Sequence, residues 1–345
     1  MTAVLNCLPQ PIATAWPAAA VYRSGIASGL AHVRVTLASA GAATPVAEAW
    51  KRAVVARPEW RGLAARTGGG VGTKVLAGSP ALSFTVTEDR LGELLGFLDD
   101  TALTWADLDV TAAGRAGTPR LAARKLAAAD GTGARPEGPL RTHVTVLADV
   151  DGTPEPLTIR EKPAEAPVPG GGETHRAGTG DQTWYAVCWS LPPVDAGEAA
   201  AAELFLFAVA GAPFSPLYQA LRDDLGITYG LRTSVQRRPG DARAWLELAF
   251  PTAREAEVRA AIERVLGHPG VGRWMENARN VLLSSVLAAL DHGSGQADAL
   301  AFGHLIGDPA HSWAVADHLG AGGLLDRVPS RLGTLATANV GSYQA

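Results

Sequence analysis

Hydrophobic and polar residues alternate along two stretches in the first half of the chain. Ala31–Ala38 and Ala81–Val86 each place an apolar residue at every second position. A period of two predicts strands that bury one face. From Thr87 onward the apolar spacing changes to three and four, which predicts a helix with one buried face. The residues on that face are Leu91, Leu94, Leu95 and Leu98.

The second half of the chain repeats this order. Trp184–Leu191 is predicted to be its first strand, and Ala242–Phe250 alternates as a later strand. A helix should follow, with Thr252 and Glu255 as a capping box. Gly267 is predicted to end that helix. Two further long segments are predicted to be helical, namely Val271–Asp291 and Gln296–Gly307.

A segment rich in proline, glycine and polar residues separates the two halves. It spans Glu161–Asp181 and shows no apolar period, so it is predicted to be a linker. The chain is therefore divided into an N-terminal module (residues 1–165), a linker (166–181) and a C-terminal module (182–345). The shared order of elements predicts an α+β protein built from two duplicated modules. Each module should contain a largely antiparallel sheet packed with helices.

Composition and charge narrow the classes of function. The 345 residues carry a net charge of −4, and no basic run of the nucleic-acid-binding type is present. No apolar run reaches about 18 residues, so no membrane span is expected. The N-terminus lacks the pattern of a signal peptide. Cys7 and Cys188 give no disulfide framework, so a cytoplasmic location is expected.

The segment Ser215–Gly230 combines a helix, a stop and the start of a strand. Ser215 can cap the helix, and Pro216 then occupies the first helical position, where a missing N–H costs nothing. Gly226 fits the position just after the helix, and Ile227–Arg237 is predicted to be a strand. This reversal would bring Arg222, in the last helical turn, close to Tyr229 at the start of the strand.

Arg222 and Tyr229 together could hold a peptide. A guanidinium presents a planar fork of donors to a carbonyl oxygen, and a phenol adds one more donor. Such donors can stabilise the oxyanion of a tetrahedral intermediate. Judged by the spacing alone, structural roles are the more common explanation of such a pair. Arg222 could complement the helix dipole or pair with Asp223 or Asp224, and Tyr229 could be half-buried packing.

The same segment resembles one found in the second module of the pitrilysin–insulinase family of zinc peptidases. The residues that match are Leu217, Leu221, Arg222, Gly226 and Tyr229. Residues 68–100 of the first half are similar to the family segment that follows its zinc helix. The resemblance implies a fold like that of pitrilysin and the processing peptidases, and it implies that Arg222 and Tyr229 bind the substrate backbone or oxyanion.

The zinc motif of that family, His-x-x-Glu-His, is absent from the sequence. The corresponding region is Gly41–Val54, where Glu48 takes the place of the glutamate. Pro45 and Ala49 then stand at the two histidine positions, and neither can ligate a metal. Glu48 alone is predicted to be a surface helix residue rather than a general base. We therefore predict no metal and no catalytic residue in this chain.

Three histidines elsewhere recur at intervals of seven residues. They are His304, His311 and His318. This spacing places them about two helical turns apart, and Pro309 interrupts the first interval, so they are not predicted to share a metal ion.

The resemblance implies a non-catalytic subunit of a heterodimeric zinc peptidase. A partner subunit would carry the zinc, and Arg222 and Tyr229 would grip a peptide substrate beside it. On its own the chain is not expected to be a peptidase, but the partner's activity should require it. The alternative is a structural or peptide-binding pseudo-peptidase with no cleaving partner. A neighbouring reading frame with His-x-x-Glu-His would favour the first hypothesis, and a lone gene would favour the second.

Overall fold

The computed structural model describes most of the chain and resolves it into two compact units. The described residues are 7–16, 19–26, 28–37, 43–100, 103–109, 118–128, 142–155, 171–192, 194–227, 231–238 and 241–344. Each unit collects segments that are distant in sequence. The first unit comprises Met1–Ala116, Thr132–Lys162 and Leu287–Trp313, and the second comprises Gly117–Gly131, Pro163–Val286 and Ala314–Ala345.

The strands and helices of the described residues are numbered in chain order. The strands are β1 (Gln10–Ala13), β2 (Ala19–Arg23), β3 (Leu30–Leu37), β4 (Val71–Leu76), β5 (Ser79–Thr87), β6 (Thr142–Ala148), β7 (Thr153–Pro154), β8 (Gly172–Arg176), β9 (Gln182–Leu191), β10 (Leu231–Arg238), β11 (Asp241–Pro251) and β12 (Asn339–Gln344). The helices are α1 (Ala43–Ala56), α2 (Pro58–Thr67), α3 (Leu91–Asp100), α4 (Pro119–Ala128), α5 (Ala196–Leu206), α6 (Pro216–Tyr218), α7 (Glu255–Leu266), α8 (Val271–Leu290), α9 (Gly293–Ile306) and α10 (His311–Ala321).

The first unit is built on a sheet with the strand order β4-β5-β3-β6-β2-β1-β7. Only the β2–β6 pair among its described strand pairs is parallel. The alternation of β3 sends Val33 and Val35 into an apolar core shared with helices α1 to α3. Arg34 points to the opposite face, where it donates to Asp298 and Ser294 of helix α9. Both faces of β3 are therefore covered, one by apolar packing and one by a polar contact.

The second unit is built on a sheet with the strand order β10-β11-β9-β12-β8. Strands β8 and β12 pair in parallel, and the other described pairs are antiparallel. On one face of β11, Leu246, Leu248 and Phe250 enter the largest apolar core. On the other face, Trp245 packs with Ala123 and other small residues around helix α4. Helix α4 precedes the linker in sequence, yet it packs on the sheet formed by the second half of the chain.

The structure confirms the α+β class with two similar sheet-and-helix units. The predicted strands Ala31–Ala38, Ala81–Val86, Trp184–Leu191 and Ala242–Phe250 correspond to β3, β5, β9 and β11. The division into residues 1–165, 166–181 and 182–345 stays a prediction. It did not include two helices that belong to the unit of the other half: α4, from the first half of the chain, lies in the second unit, and α9, from the second half, lies in the first unit. Part of the predicted linker forms the edge strand β8, which pairs with β12.

Two local predictions were wrong. Thr252 and Glu255 form no capping box, because helix α7 begins only at Glu255 and its N-terminus has no side-chain cap. The Thr252 hydroxyl instead lies 2.9 Å from the hydroxyl of Thr183 on β9. Ile227, predicted to open the strand after Gly226, is not in a strand, and the strand residues described there are Leu231–Arg238.

The most apolar helical stretch of the described chain is Ala196–Asp224. By length and composition it could cross a membrane, but 67% of its most hydrophobic window is buried within the protein. Leu204, Phe205 and Leu206 of helix α5 belong to the core of the second unit. This burial explains the high hydropathy as that of a central core helix.

Candidate functional site

The segment that carries Arg222 is a capped and tightly terminated helix. The Ser215 hydroxyl accepts from the amide of Tyr218 at 3.4 Å, as the sequence predicted. Leu217 and Leu221 are buried and anchor the segment to the core. After α6 the helix widens into a π-helical stretch over Gln219–Asp224.

A left-handed glycine ends this helix. Gly226 has a φ of +60°, which an L-residue adopts only with strain. The amides of Gly226 and Ile227 donate to the carbonyls of Arg222 and Leu221. The stop predicted at Gly226 is therefore formed, and Arg222 lies in the last turn before it.

Arg222 is exposed and stacks on an aromatic ring of its own helix. Its guanidinium carbon lies 5.1 Å from the centre of the Tyr218 ring. Within the described part of the chain Arg222 forms no ion pair, so the pairing with Asp223 or Asp224 considered from the sequence is not made. Tyr229 lies outside the described residues, and its convergence with Arg222 stays a prediction.

Helix α1 contains the three positions that the sequence predicts to stand in place of the family's zinc motif. Pro45 lies within the helix, and Ala49 is buried in the core. Glu48 is half-buried and accepts a hydrogen bond of 2.5 Å from the Thr73 hydroxyl on β4. Among the described residues, no group of three histidine, cysteine, aspartate or glutamate side chains could hold a metal ion. Glu48 thus joins a helix to an edge strand.

The predicted histidine series takes part in separate contacts. Nε2 of His304 lies 2.7 Å from the Tyr22 hydroxyl. The His304 ring is also tilted against that of His143, with 4.7 Å between the ring centres. His311 instead lies 3.3 Å from the Asp308 carboxylate. The described contacts therefore give His304 and His311 different partners.

A cleft of about 720 Å³ opens beside the Gly226 stop within the second unit. The turn at Gly226 and Ile227 forms part of its wall. The other lining residues come from the start of α4, from strands β9, β10 and β11, and from the residues next to them: Arg120, Asp181, Gln182, Trp184, Arg232, Glu247, Leu248, Ala249 and Pro251.

A buried carboxylate organises the basic end of this cleft. Glu247 is only 4% exposed and receives two hydrogen bonds from the Arg120 guanidinium, at 2.8 and 3.3 Å. Arg124, one helical turn later, approaches the same carboxylate at 3.5 Å and lies 4.4 Å from the centre of the Trp245 ring. Burial lowers the pKa of Arg124, and Glu247 opposes that shift. These contacts fix helix α4 on the sheet.

Arg232 lies directly across the strand pair from Glu247. The two residues are register partners of β10 and β11, so their side chains share one face. Arg232 is exposed and, in the portion of the chain that the structure covers, forms no ion pair. Arg120, Arg232 and Glu247 were not predicted from the sequence as site residues. The available signal was Glu247 itself, an acidic residue between apolar neighbours of a core strand.

The matched family and the solved structures agree with the resemblance seen in the sequence. Residues 142–268, which include the Arg222 segment, match the family described as the peptidase M16 inactive domain. No curated protein sequence matches the chain. The resemblance to the pitrilysin–insulinase family, peptidase family M16, is therefore confirmed over this part of the sequence.

Solved structures of low sequence identity share the fold over almost the whole chain. A protein from Alicyclobacillus acidocaldarius described as an M16-like peptidase is 15% identical, with a TM-score of 0.72 and coverage of 97% of this chain and 98% of its own. A peptidase M16 inactive domain from Pseudomonas fluorescens is 14% identical, with a TM-score of 0.66 and coverage of 98% and 99%. A protease from Helicobacter pylori is 11% identical, with a TM-score of 0.64 and coverage of 98% and 100%.

Proposed function

We propose that this chain, whose residues 142–268 match the inactive domain of peptidase M16, is the non-catalytic, substrate-binding subunit of a heterodimeric zinc peptidase. A partner subunit supplies the zinc and the activated water. This chain supplies Arg222 and Tyr229, which bind the backbone of a peptide substrate and its oxyanion beside the partner's zinc. The observation that carries the proposal is an exposed Arg222 without an ion-pair partner among the described residues.

The chemistry of helix α1 supports the division of labour. A zinc peptidase needs histidines to hold the ion and a glutamate to activate the water. Here Pro45 and Ala49 stand at the histidine positions, and Glu48 is bonded to Thr73. In the proposed heterodimer, the metal and the general base come from the other chain.

The surroundings of Arg222 support a binding role. A guanidinium that already neutralises a carboxylate has fewer donors left for a ligand, whereas Arg222 keeps its donors and is oriented by the Tyr218 ring. The rigid stop at Gly226 and the buried anchors Leu217 and Leu221 limit the movement of its backbone. A preorganised donor of this kind contributes about 2.7–4 kcal/mol to transition-state stabilisation.

The proposal is tested by coexpression with a zinc-bearing chain that contains His-x-x-Glu-His and is encoded beside this one. Cleavage of a fluorogenic peptide library selects a substrate, and kcat/KM is then compared with and without this chain. We expect the partner alone to cleave poorly and Arg222→Ala to lower kcat/KM of the pair about tenfold or more. Arg264→Ala is the matched control, because Arg264 is also exposed in the last turn of a helix.

Two outcomes would reject the proposal. One is full activity of the Arg222→Ala pair with complex formation intact. The other is a chain that binds peptides but forms no complex with any zinc-bearing chain, which would establish the alternative of a peptide-binding pseudo-peptidase.

A further inference from the structure

We propose that the cleft of the second unit binds an extended peptide segment through an acidic side chain, which Arg232 and Arg120 receive. This inference rests on the proposed function, because it names the class of peptide that the subunit would present. It concerns side chains other than Arg222 and Tyr229 and can be tested separately from them.

The charges at the basic end of the cleft favour a carboxylate. Glu247 already accepts two hydrogen bonds from Arg120, so its charge is satisfied within the protein. Arg232 lies on the same face, is exposed, and has no ion-pair partner among the described residues. An Arg–carboxylate contact can be bidentate, which gives geometric selectivity as well as attraction. The incoming carboxylate would therefore pair with Arg232, and Arg120 would add Nη1, which takes no part in its two hydrogen bonds to Glu247.

The length of the cleft favours an extended chain over a small anion. Its other end is marked by Asp181, whose carbonyl accepts a hydrogen bond of 2.7 Å from the amide of Thr252. Thr252 lies five residues beyond Glu247, just after β11 ends at Pro251. At about 3.3 Å per residue, the two ends lie about 16 Å apart, which is about five residues of extended peptide. A volume of about 720 Å³ is also in the range of ligand-binding sites.

The floor between the two ends is suited to a peptide backbone and its apolar parts. Trp184 is half-buried and pairs in register with Ala249, so an indole ring and a small side chain lie side by side. Asp181 at the far end would repel a second acidic residue there. The cleft should therefore select a peptide with a single acidic residue at the Arg232 end.

The test uses the full chain and two fluorescein-labelled eight-residue peptides that differ only in one Glu-to-Gln exchange. Fluorescence anisotropy at low and physiological salt gives both dissociation constants. We expect the Glu peptide to bind about fivefold more tightly, a difference that salt reduces. Arg232→Gln should abolish the difference, and Arg273→Gln, which alters an exposed arginine outside the cleft, should retain it. Hydrogen exchange should show protection of β10 by the Glu peptide.

Equal affinity for the two peptides, no binding of either, or an undiminished preference in Arg232→Gln would overturn the inference. The proposed function fails independently. If Arg222→Ala leaves the pair fully active while the preference for the Glu peptide depends on Arg232, peptide binding in the cleft is supported and the proposed function is rejected. If Arg222→Ala lowers activity and the preference is absent, only the cleft is rejected.

Discussion

The guanidinium carbon of Arg222 lies 5.1 Å from the centre of the Tyr218 ring, one helical turn earlier. This contact orients the exposed arginine without neutralising it. The cation–π attraction at an exposed site contributes about 0.5–1 kcal/mol. The ring therefore holds Arg222 near one direction while its donors stay available.

Tyr218→Leu should weaken the proposed activation of a zinc-bearing partner. The lost cation–π attraction is about 0.5–1 kcal/mol, and a free-energy change of about 1.4 kcal/mol corresponds to a tenfold change in an equilibrium or rate constant. Loss of this contact should therefore lower kcat/KM of the pair about two- to fivefold. Tyr218→Phe keeps the ring and should stay close to the parent pair. Peptide cleavage by the purified pair measures both variants. A loss in Tyr218→Leu as large as that in Arg222→Ala would contradict an orienting role.

Glu203 should make the stability of the protein fall as the pH rises toward neutrality. Burial in helix α5 raises the pKa of Glu203 from 4.5 to about 7. Between these values the folded protein holds a proton that the unfolded chain has released. The folded state thus binds more protons, and the free energy of unfolding decreases with pH across this window, by about 2–3 kcal/mol in total.

Glu203→Gln should remove this decrease and give a more stable protein at pH 8. Urea unfolding at pH 5, 6, 7 and 8 measures the free energy of unfolding for the parent and the variant. Glu263→Gln, at an exposed position of helix α7, is the control and should retain the pH dependence. If the free energy of unfolding of Glu203→Gln fell with pH as steeply as that of the parent protein, another group would be responsible for the pH dependence.

Apolar periodicity predicted the strands because each of them buries one face in a core. Leu246, Leu248 and Phe250 alternate on β11 and enter the largest core of the second unit, so their pattern alone located the strand. The same reasoning placed the helix stop at Gly226, where only local backbone geometry is involved. The strand pattern and the helix stop are both determined by residues close together in the sequence, so the sequence alone was enough to predict them.

The cleft could not be predicted from local patterns because it depends on a distant helix. Arg120 and Glu247 are separated by 127 residues, and their contact forms only when α4 packs on the second sheet. The failed cap at Thr252 has a similar cause, since its hydroxyl contacts Thr183 on β9. The local sequence suggested Glu255 as the partner of Thr252, but in the folded protein the partner is Thr183 from a neighbouring strand.

Asp298→Asn should destabilise the first unit strongly. Arg34 is 1% exposed, and its guanidinium donates to Asp298 at 2.5 Å. Lys74 pairs with the same carboxylate. Removing the negative charge leaves a buried guanidinium without its counterion, which costs about 3 kcal/mol. Denaturant unfolding followed by tryptophan fluorescence measures the loss.

Glu93→Gln is the matched control for this ion pair. Glu93 also binds two basic residues, Arg66 and Arg90, but on the surface, where such pairs contribute little. We expect its unfolding curve to overlay that of the parent protein. Equal effects of the two variants would mean that the burial of Arg34 does not determine the strength of its pairing.

Gly341→Ala should disturb the packing of helix α4 on the second sheet. A Cβ atom at Gly341 would overlap the backbone of Ala123 and Ala127, and backbone atoms cannot rotate away as a side chain can. Overpacking of this kind costs about 1–3 kcal/mol. Because α4 carries Arg120, the displacement should also weaken binding of the Glu peptide relative to the Gln peptide.

Gly320→Ala, in helix α10 with no atom near the added methyl group, should instead be neutral or stabilising. Thermal unfolding and peptide anisotropy measure both effects. A Gly341→Ala protein with parental stability and parental peptide preference would show that the close approach of α4 to β12 is not what positions Arg120.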